Sequence, residues 1–174
     1  MNRAADVAIA GSTLIVASPV LALAALAVKL GDGGPVLYRQ TRVGRDGSDF
    51  ELLKLRTMVV GAETMGAGLA VNEGDPRITK VGAVLRRLSL DELPQFWNVL
   101  RGEMSIVGPR PEQIELVRRY RPEHRFRLAV KPGITGSMQV FGRGALSFSE
   151  RLAVELDYVE NLTLSRDLRI LLQT

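Results

Sequence analysis

The stretch Val7 to Val28, V-A-I-A-G-S-T-L-I-V-A-S-P-V-L-A-L-A-A-L-A-V, carries no charge and is flanked by Arg3, Asp6 and Lys29. At a helical rise of about 1.5 Å per residue it would reach about 33 Å, enough to cross a hydrocarbon core of roughly 30 Å. It is therefore expected to lie in a membrane. Ser18-Pro19 interrupts its second half. The proline ring removes one backbone hydrogen bond and presses on the preceding turn, so a bend is expected there. Three dispositions fit: a spanning helix, a re-entrant helix that enters and leaves on one face, and a cleaved signal peptide. A signal peptide needs a basic start and a small-x-small cleavage site ahead of an exported domain. The cysteine-free, arginine-rich remainder gives little support for export, which favours a retained membrane segment.

Outward from this run the chain turns polar. Gly31-Asp32-Gly33-Gly34-Pro35 makes a sharp exit. Val36 to Arg42 and Phe50 to Met58 read as two short strands, joined through Gly44-Arg45-Asp46-Gly47 into a hairpin. At least half of Arg39, Arg42, Lys54 and Arg56 are expected on a solvated hairpin face. Ala62 to Gly74, rich in glycine and small residues, reads as a mobile loop or weak helix. A helix follows over Val81 to Leu88, with Val81, Val84, Leu85 and Leu88 on one face, fit to lie in a membrane interface with arginines at headgroup level.

Ser89-Leu90-Asp91-Glu92-Leu93-Pro94-Gln95 places adjacent carboxylates at an expected helix start, just after Arg86 and Arg87. An acid there is expected to stay ionised, because the helix dipole and unpaired N–H groups favour negative charge. Asp91 could then be a metal ligand or a nucleophile. Ser89 and Glu92 also spell S-x-x-E, a capping box in which each side chain satisfies the other's N–H, and spacing alone leaves both readings open. Phe96, Trp97, Val99 and Leu100 continue as an apolar helix to near Arg101-Gly102, with Trp97 as fit for the core as for an interface. In Gly108-Pro109-Arg110-Pro111-Glu112 two prolines stiffen the backbone, so Arg110 is presented at low conformational cost. Lys131 to Gly136 reads as another rigid turn. Gly142-Arg143-Gly144 would let the backbone approach a ligand, with Arg143 available to phosphate.

Composition narrows the chemistry. The 174 residues suit one domain with its own core. The net charge of +4 comes mostly from arginine, whose planar fork suits phosphate, the lysines being Lys29, Lys54, Lys80 and Lys131. Without cysteine there is no disulfide, thiolate site or thiol nucleophile, and a single histidine, His124, argues against a histidine cluster or triad. Carboxylates and arginines remain as the working groups. No Walker sequence, dinucleotide fingerprint or H-E-x-x-H is present.

The proline-interrupted apolar start, G-P-V-L-Y-R-Q-T-R-V-G, K-L-R-T-M, D-P-R-I-T-K-V-G, L-R-R-L-S-L-D-E-L-P-Q, G-P-R-P-E and K-P-G-I-T-G occur in that order over nearly the whole chain. So arranged, the chain resembles the bacterial sugar transferases, or monotopic phosphoglycosyl transferases. The resemblance implies transfer of a sugar-1-phosphate from a UDP-sugar to a polyprenol phosphate, with UMP released, as a step of exopolysaccharide or other bacterial glycan assembly. It implies a covalent intermediate on Asp91, with Glu92 assisting beside a magnesium ion held by both carboxylates. Arg86 is expected to meet phosphate. Pro109, Arg110, Pro111 and Arg143 lie in motifs associated with substrate binding.

The implied fold is α+β and mainly helical, with a re-entrant membrane helix hinged at Ser18-Pro19 over residues 1–30. A catalytic domain over 31–174 would lie at the cytoplasmic face of the bacterial inner membrane, seated on membrane lipids by amphipathic interfacial helices around a small β-hairpin. A homodimer is left open. Two places depart from the pattern: Ser137 stands where the family usually has tryptophan, and Asn161 to Ser165 lacks the usual aromatics. The chain stops at Thr174 in an apolar stretch, short of the family's usual end, which suggests a truncated C-terminus. A glycosyltransferase releasing UDP would usually carry D-x-D, which is not found here. A non-catalytic scaffold gives no reason for the Asp91-Glu92 region. Nucleic-acid binding finds neither the charge nor the aromatic-basic pattern it needs.

Overall fold

The computed structural model describes residues 2–66, 74–141 and 146–174. Arg143 lies outside the described residues. The elements run α1 (Arg3–Asp32), β1 (Leu37–Val43), β2 (Asp49–Leu55), α2 (Lys80–Arg87), α3 (Gln95–Arg101), β3 (Ser105–Val107), α4 (Ile114–Val117), β4 (Gly133–Thr135), α5 (Ser137–Phe141), α6 (Phe148–Glu160) and α7 (Leu164–Gln173), with short 3₁₀ turns between them. The fold is mainly helical with little sheet, as expected. The chain forms two compact units: Met1–Thr13 with Gln40–Leu52 and Gln95–Thr174, and Leu14–Arg39 with Leu53–Pro94.

α1 contains the whole apolar run and continues through Pro19. Pro19 has no N–H to offer the Ile15 carbonyl four residues back, and the Ser18 hydroxyl donates to that carbonyl instead, at 2.8 Å. In hydrocarbon an unpaired carbonyl costs several kcal/mol, at the upper end of a range starting about 2 kcal/mol, so the hydroxyl makes the proline tolerable. Ile15, Val16, Leu23, Leu26 and Leu30 are exposed, an apolar surface suited to lipid rather than water. Asn2 caps the helix, its Oδ1 accepting from Ala4 N at 2.7 Å. Lys29 sits in the last turn, where a cation complements the dipole. The flanking charges do more than border a membrane segment. In the first unit Asp6 is buried and accepts from Ser105 Oγ at 2.9 Å and Ile106 N at 3.0 Å, and Arg3 donates to the Val99 and Leu100 carbonyls at 2.5 and 2.8 Å. In the second, Asp32 accepts two bonds from the buried Arg56, at 2.7 and 2.5 Å.

The hairpin forms as read, β1 pairing with β2, although β2 ends at Leu55 and Met58 meets Ile78 in an isolated antiparallel bridge. Of its four basic residues only Arg39 is exposed; Arg42 and Lys54 are half-buried and Arg56 is buried. The solvated-face expectation fails for most of them because each finds a polar partner within the fold. Lys131 to Gly136 is more than a turn: it holds β4, which pairs in parallel with β3 in the register Ser105↔Gly133 and Val107↔Thr135. The two strands are three residues each, too short for alternation to reveal them. The first unit packs Ala10, Phe50, Leu52, Val99, Met104 and Tyr158 among its buried residues. The second packs Ala24 and Val28 of α1 on Leu55 and Leu85. Of the four apolar residues expected on one face here, Leu85 and the partly buried Val81 turn inward, whereas Val84 and, just past the end of α2, Leu88 are exposed. Trp97 is exposed rather than core. Leu164, Leu168 and Leu172, four residues apart on α7, are exposed while Asp167 and Ile170 are buried.

Candidate active site

The Asp91 region is built from the packing of α2 against the chain beyond β2. Thr79 caps α2, its hydroxyl accepting from Gly82 N at 2.9 Å, while Thr79 N donates to the Thr57 carbonyl at 3.0 Å. A Cβ on Gly82 would lie 1.9 Å from that same carbonyl oxygen, so only glycine permits the approach. One turn later Arg86 Nε donates to Thr57 Oγ1 at 2.8 Å. Its two terminal nitrogens have no protein partner among the described residues, which leaves them open to an anion.

α2 ends at Arg87 and the chain reverses through Ser89, a non-glycine residue at φ 55°, a conformation that costs on the order of 1 kcal/mol. The turn that follows is 3₁₀, Leu90–Glu92, and it precedes α3 rather than opening it. The capping box therefore does not form: Ser89 makes no side-chain cap, and Glu92 Oε1 lies 2.7 Å from Lys54 Nζ. The S-x-x-E signature is realised elsewhere, where Ser147 and Glu150 cap α6 reciprocally.

Asp91 is only 8% exposed. Burial pushes its carboxyl above the ordinary range, partly offset by Lys54 and Arg86, with Glu92 adding to the rise. This reverses the expectation that a helix dipole would hold it low: no α-helix begins at Asp91, and desolvation outweighs the nearby cations. No side chain among the described residues hydrogen-bonds the Asp91 carboxylate, which takes a bond from its own main-chain N–H. The arrangement is a partly desolvated carboxylate facing two cationic residues, beside a second carboxylate held by a lysine. Lys54 went unrecognised in the sequence as a site residue. The available signal was a lysine inside a strand otherwise flanked by buried leucines, Leu52, Leu53 and Leu55.

Of the residues singled out from the sequence, Arg86, Asp91 and Glu92 come together in one unit. Pro109, Arg110 and Pro111 belong to the other, where both prolines are buried and the Arg110 side chain is exposed. Ser18 and Pro19 lie within α1. Among the described residues no cluster of three or more His, Cys, Asp or Glu could by itself hold a metal ion. Asp91 and Glu92 form a two-carboxylate donor set, which fits an ion that keeps several waters and takes the rest of its ligands from substrate phosphates.

The family model described as "Bacterial sugar transferase" matches residues 1–174. Over 99% of its length the chain is 41% identical to the exopolysaccharide production protein ExoY of Rhizobium meliloti, covering 83% of that protein. Over 99% of its length it is 45% identical to the UDP-glucose:undecaprenyl-phosphate glucose-1-phosphate transferase of Caulobacter vibrioides, covering 67% of it. The protein of the same name in Escherichia coli is 44% identical over the whole chain, which spans 39% of that longer relative.

Proposed function

We propose that this chain, which belongs to the bacterial sugar transferase family, moves a sugar-1-phosphate from a UDP-sugar to a polyprenol phosphate through a covalent intermediate on Asp91. The observation that carries the reading is the Asp91 carboxylate itself, buried, held by no side-chain hydrogen bond among the described residues, and flanked by Arg86 and the Lys54–Glu92 pair. The names of the relatives supply the substrate class: the Caulobacter and Escherichia proteins are undecaprenyl-phosphate glucose-1-phosphate transferases.

In the first displacement an Asp91 oxygen attacks the sugar-bearing phosphorus of the donor. The new bond is carboxylate oxygen to phosphorus, the bond broken is the diphosphate bridge, and the electron pair leaves with UMP. In the second, an oxygen of the polyprenol phosphate attacks the same phosphorus and releases the carboxylate. Desolvation makes Asp91 a poorly solvated and hence more reactive anion, while Arg86, oriented by Thr57, meets phosphate charge. Glu92 and Asp91 would hold a magnesium ion together with diphosphate oxygens, and the ion would screen the charge of the leaving nucleotide. Lys54 keeps Glu92 in place beside Asp91. With a UDP-sugar, polyprenol phosphate and magnesium, the nucleotide released is expected to be UMP, read by chromatography. UDP as the main product would mean attack at the anomeric carbon and would sink the reading.

The membrane part of the proposal is that α1 is re-entrant, with Ser18-Pro19 as hinge, at the cytoplasmic face of the inner membrane. Support comes from the two ends of α1, each hydrogen-bonded to polar, folded chain. The protein has no cysteine, so Ala4→Cys and Gly31→Cys, both at exposed positions, can be labelled in intact cells and inverted vesicles. Equal accessibility from the cytoplasmic side is expected; accessibility from opposite sides would establish a spanning helix.

A further inference from the structure

Asp32, the last residue of α1, is bonded to the strand end that leads into the Asp91 site. Its carboxylate accepts from both terminal nitrogens of Arg56, Nη1 to Oδ2 at 2.7 Å and Nη2 to Oδ1 at 2.5 Å. The guanidinium is buried, and its Nε has no hydrogen-bond partner among the described residues. A Cβ on Gly34 would lie 2.6 Å from Arg56 Nη1 and 2.9 Å from its Cζ, so glycine there lets the exit loop lie against the paired guanidinium. The Arg56 main-chain N–H donates to the Val36 carbonyl at 2.8 Å. Next comes Thr57, buried, whose hydroxyl accepts from Arg86 Nε at 2.8 Å and whose carbonyl accepts from Thr79 N at 3.0 Å. Asp32, Arg56, Thr57 and Arg86 all lie in the second unit, with Asp91 and Glu92.

A buried guanidinium with one nitrogen unbonded is a poor device for stability alone, because desolvation cancels much of its attraction to the carboxylate and an apolar side chain often serves as well. What the fork supplies is direction, since two parallel bonds fix both the plane and the place of the group. β2 ends at Leu55, so the placement of Thr57 rests on the Val36 and Thr79 bonds and on the Asp32–Arg56 pair. Arg86 in turn is held by Thr57 through Nε, which leaves its terminal nitrogens as a fork for an anion, close enough to Asp91 for its charge to act on that carboxyl. We infer that Asp32 and Arg56 are positioning residues for Arg86, acting through Thr57, so that the end of the apolar helix sets the aim of a phosphate-binding group. This rests on the reading of Arg86 as the residue that meets donor phosphate.

Calorimetric titration with UDP and magnesium, on the full chain in lipid nanodiscs, tests it without turnover. The variants are Asp32→Asn, Arg86→Ala and the pair, with a thermal melt for each. UDP carries the diphosphate of the donor without the sugar, so its affinity reports the phosphate contact whichever bond the reaction breaks. Loss of a charge-assisted bond to phosphate costs roughly ten- to a hundredfold in affinity. Asp32→Asn is accordingly expected to raise Kd about tenfold when Arg86 is present, and less than about twofold when Arg86 is already alanine. Equal losses in both backgrounds would overturn the positioning role, as would a silent Asp32→Asn beside a damaging Arg86→Ala. Unchanged UDP binding in Arg86→Ala would remove the phosphate reading of Arg86 and the positioning role with it, while the identity of the released nucleotide still tests the reaction separately. If the melt shows that Asp32→Asn does not fold, Arg56→Lys enters the same cycle. Lysine keeps a charge opposite Asp32, but its single ammonium cannot make the two parallel bonds of the guanidinium fork. The same loss of effect in the Arg86→Ala background is expected. Additive losses, no loss, or a chain that folds with neither substitution would assign the pair to the fold and overturn the role.

Discussion

Asp91→Asn is expected to abolish turnover while leaving the fold at least as stable as the native protein. Asparagine matches the shape of the side chain but cannot form the bond to phosphorus, so the loss should be about a thousandfold or more. Stability should move the other way. A carboxyl whose folded-state pKa is raised by burial holds its proton more tightly in the folded state than in the unfolded one. Its contribution is present below the unfolded pKa and is lost as pH rises through the raised folded value, above which the folded state bears the full cost of the buried charge. Asparagine removes that cost. Thermal melts at pH 7 should show the variant equal to or above the native protein, and the difference should shrink as pH falls through the raised carboxyl range. Donor alone should leave a phosphosugar adduct on the native protein by intact mass and none on the variant. Near-native turnover in the variant would end the nucleophile assignment, and an unfolded variant would show that the carboxylate holds the turn together.

The largest expected effect on stability is at Gly82→Ala. The added methyl would sit 1.9 Å from the Thr57 carbonyl oxygen, 2.6 Å from its carbon and 2.7 Å from its Cα, all backbone atoms that cannot swing aside. α2 must then move off the Thr57 segment, lengthening the Thr79–Thr57 bond of 3.0 Å and the Arg86–Thr57 bond of 2.8 Å and loosening Leu85 in its cluster. Overpacking of this kind costs about 1–3 kcal/mol, at times more, which for a chain of this size is a fall in Tm on the order of 5–10 °C. Activity should fall with it, because Arg86 loses the bond that orients it. Gly11→Ala is the control: nothing lies within 4 Å of its added Cβ, and alanine is the better helix former, so its Tm should hold or rise. A Gly82→Ala protein that melts and turns over like the native one would contradict the close approach of α2 to Thr57.

The sequence alone established what local composition can express. An uncharged run long enough to cross hydrocarbon makes a helix of α1, because that length and apolar character are written in the segment's own side chains. A glycine-bounded turn between two apolar strands made the hairpin legible, and the ordered motifs singled out Asp91, Glu92 and Arg86, which fall in one unit. Tertiary structure decided the rest. Ser89 and Glu92 satisfy the capping-box spacing, yet Glu92 takes Lys54, 38 positions away, and Ser89 is left in the left-handed region. β4 exists only because β3 lies beside it. The carboxyl of Asp91 rises because packing removes its water, and the Arg110 backbone is held by Glu155, 45 positions away. Spacing between neighbours reports which residues can share a face or a cap. Desolvation and bonds between distant segments belong to the packed chain, where competing partners are chosen by geometry that no local pattern records.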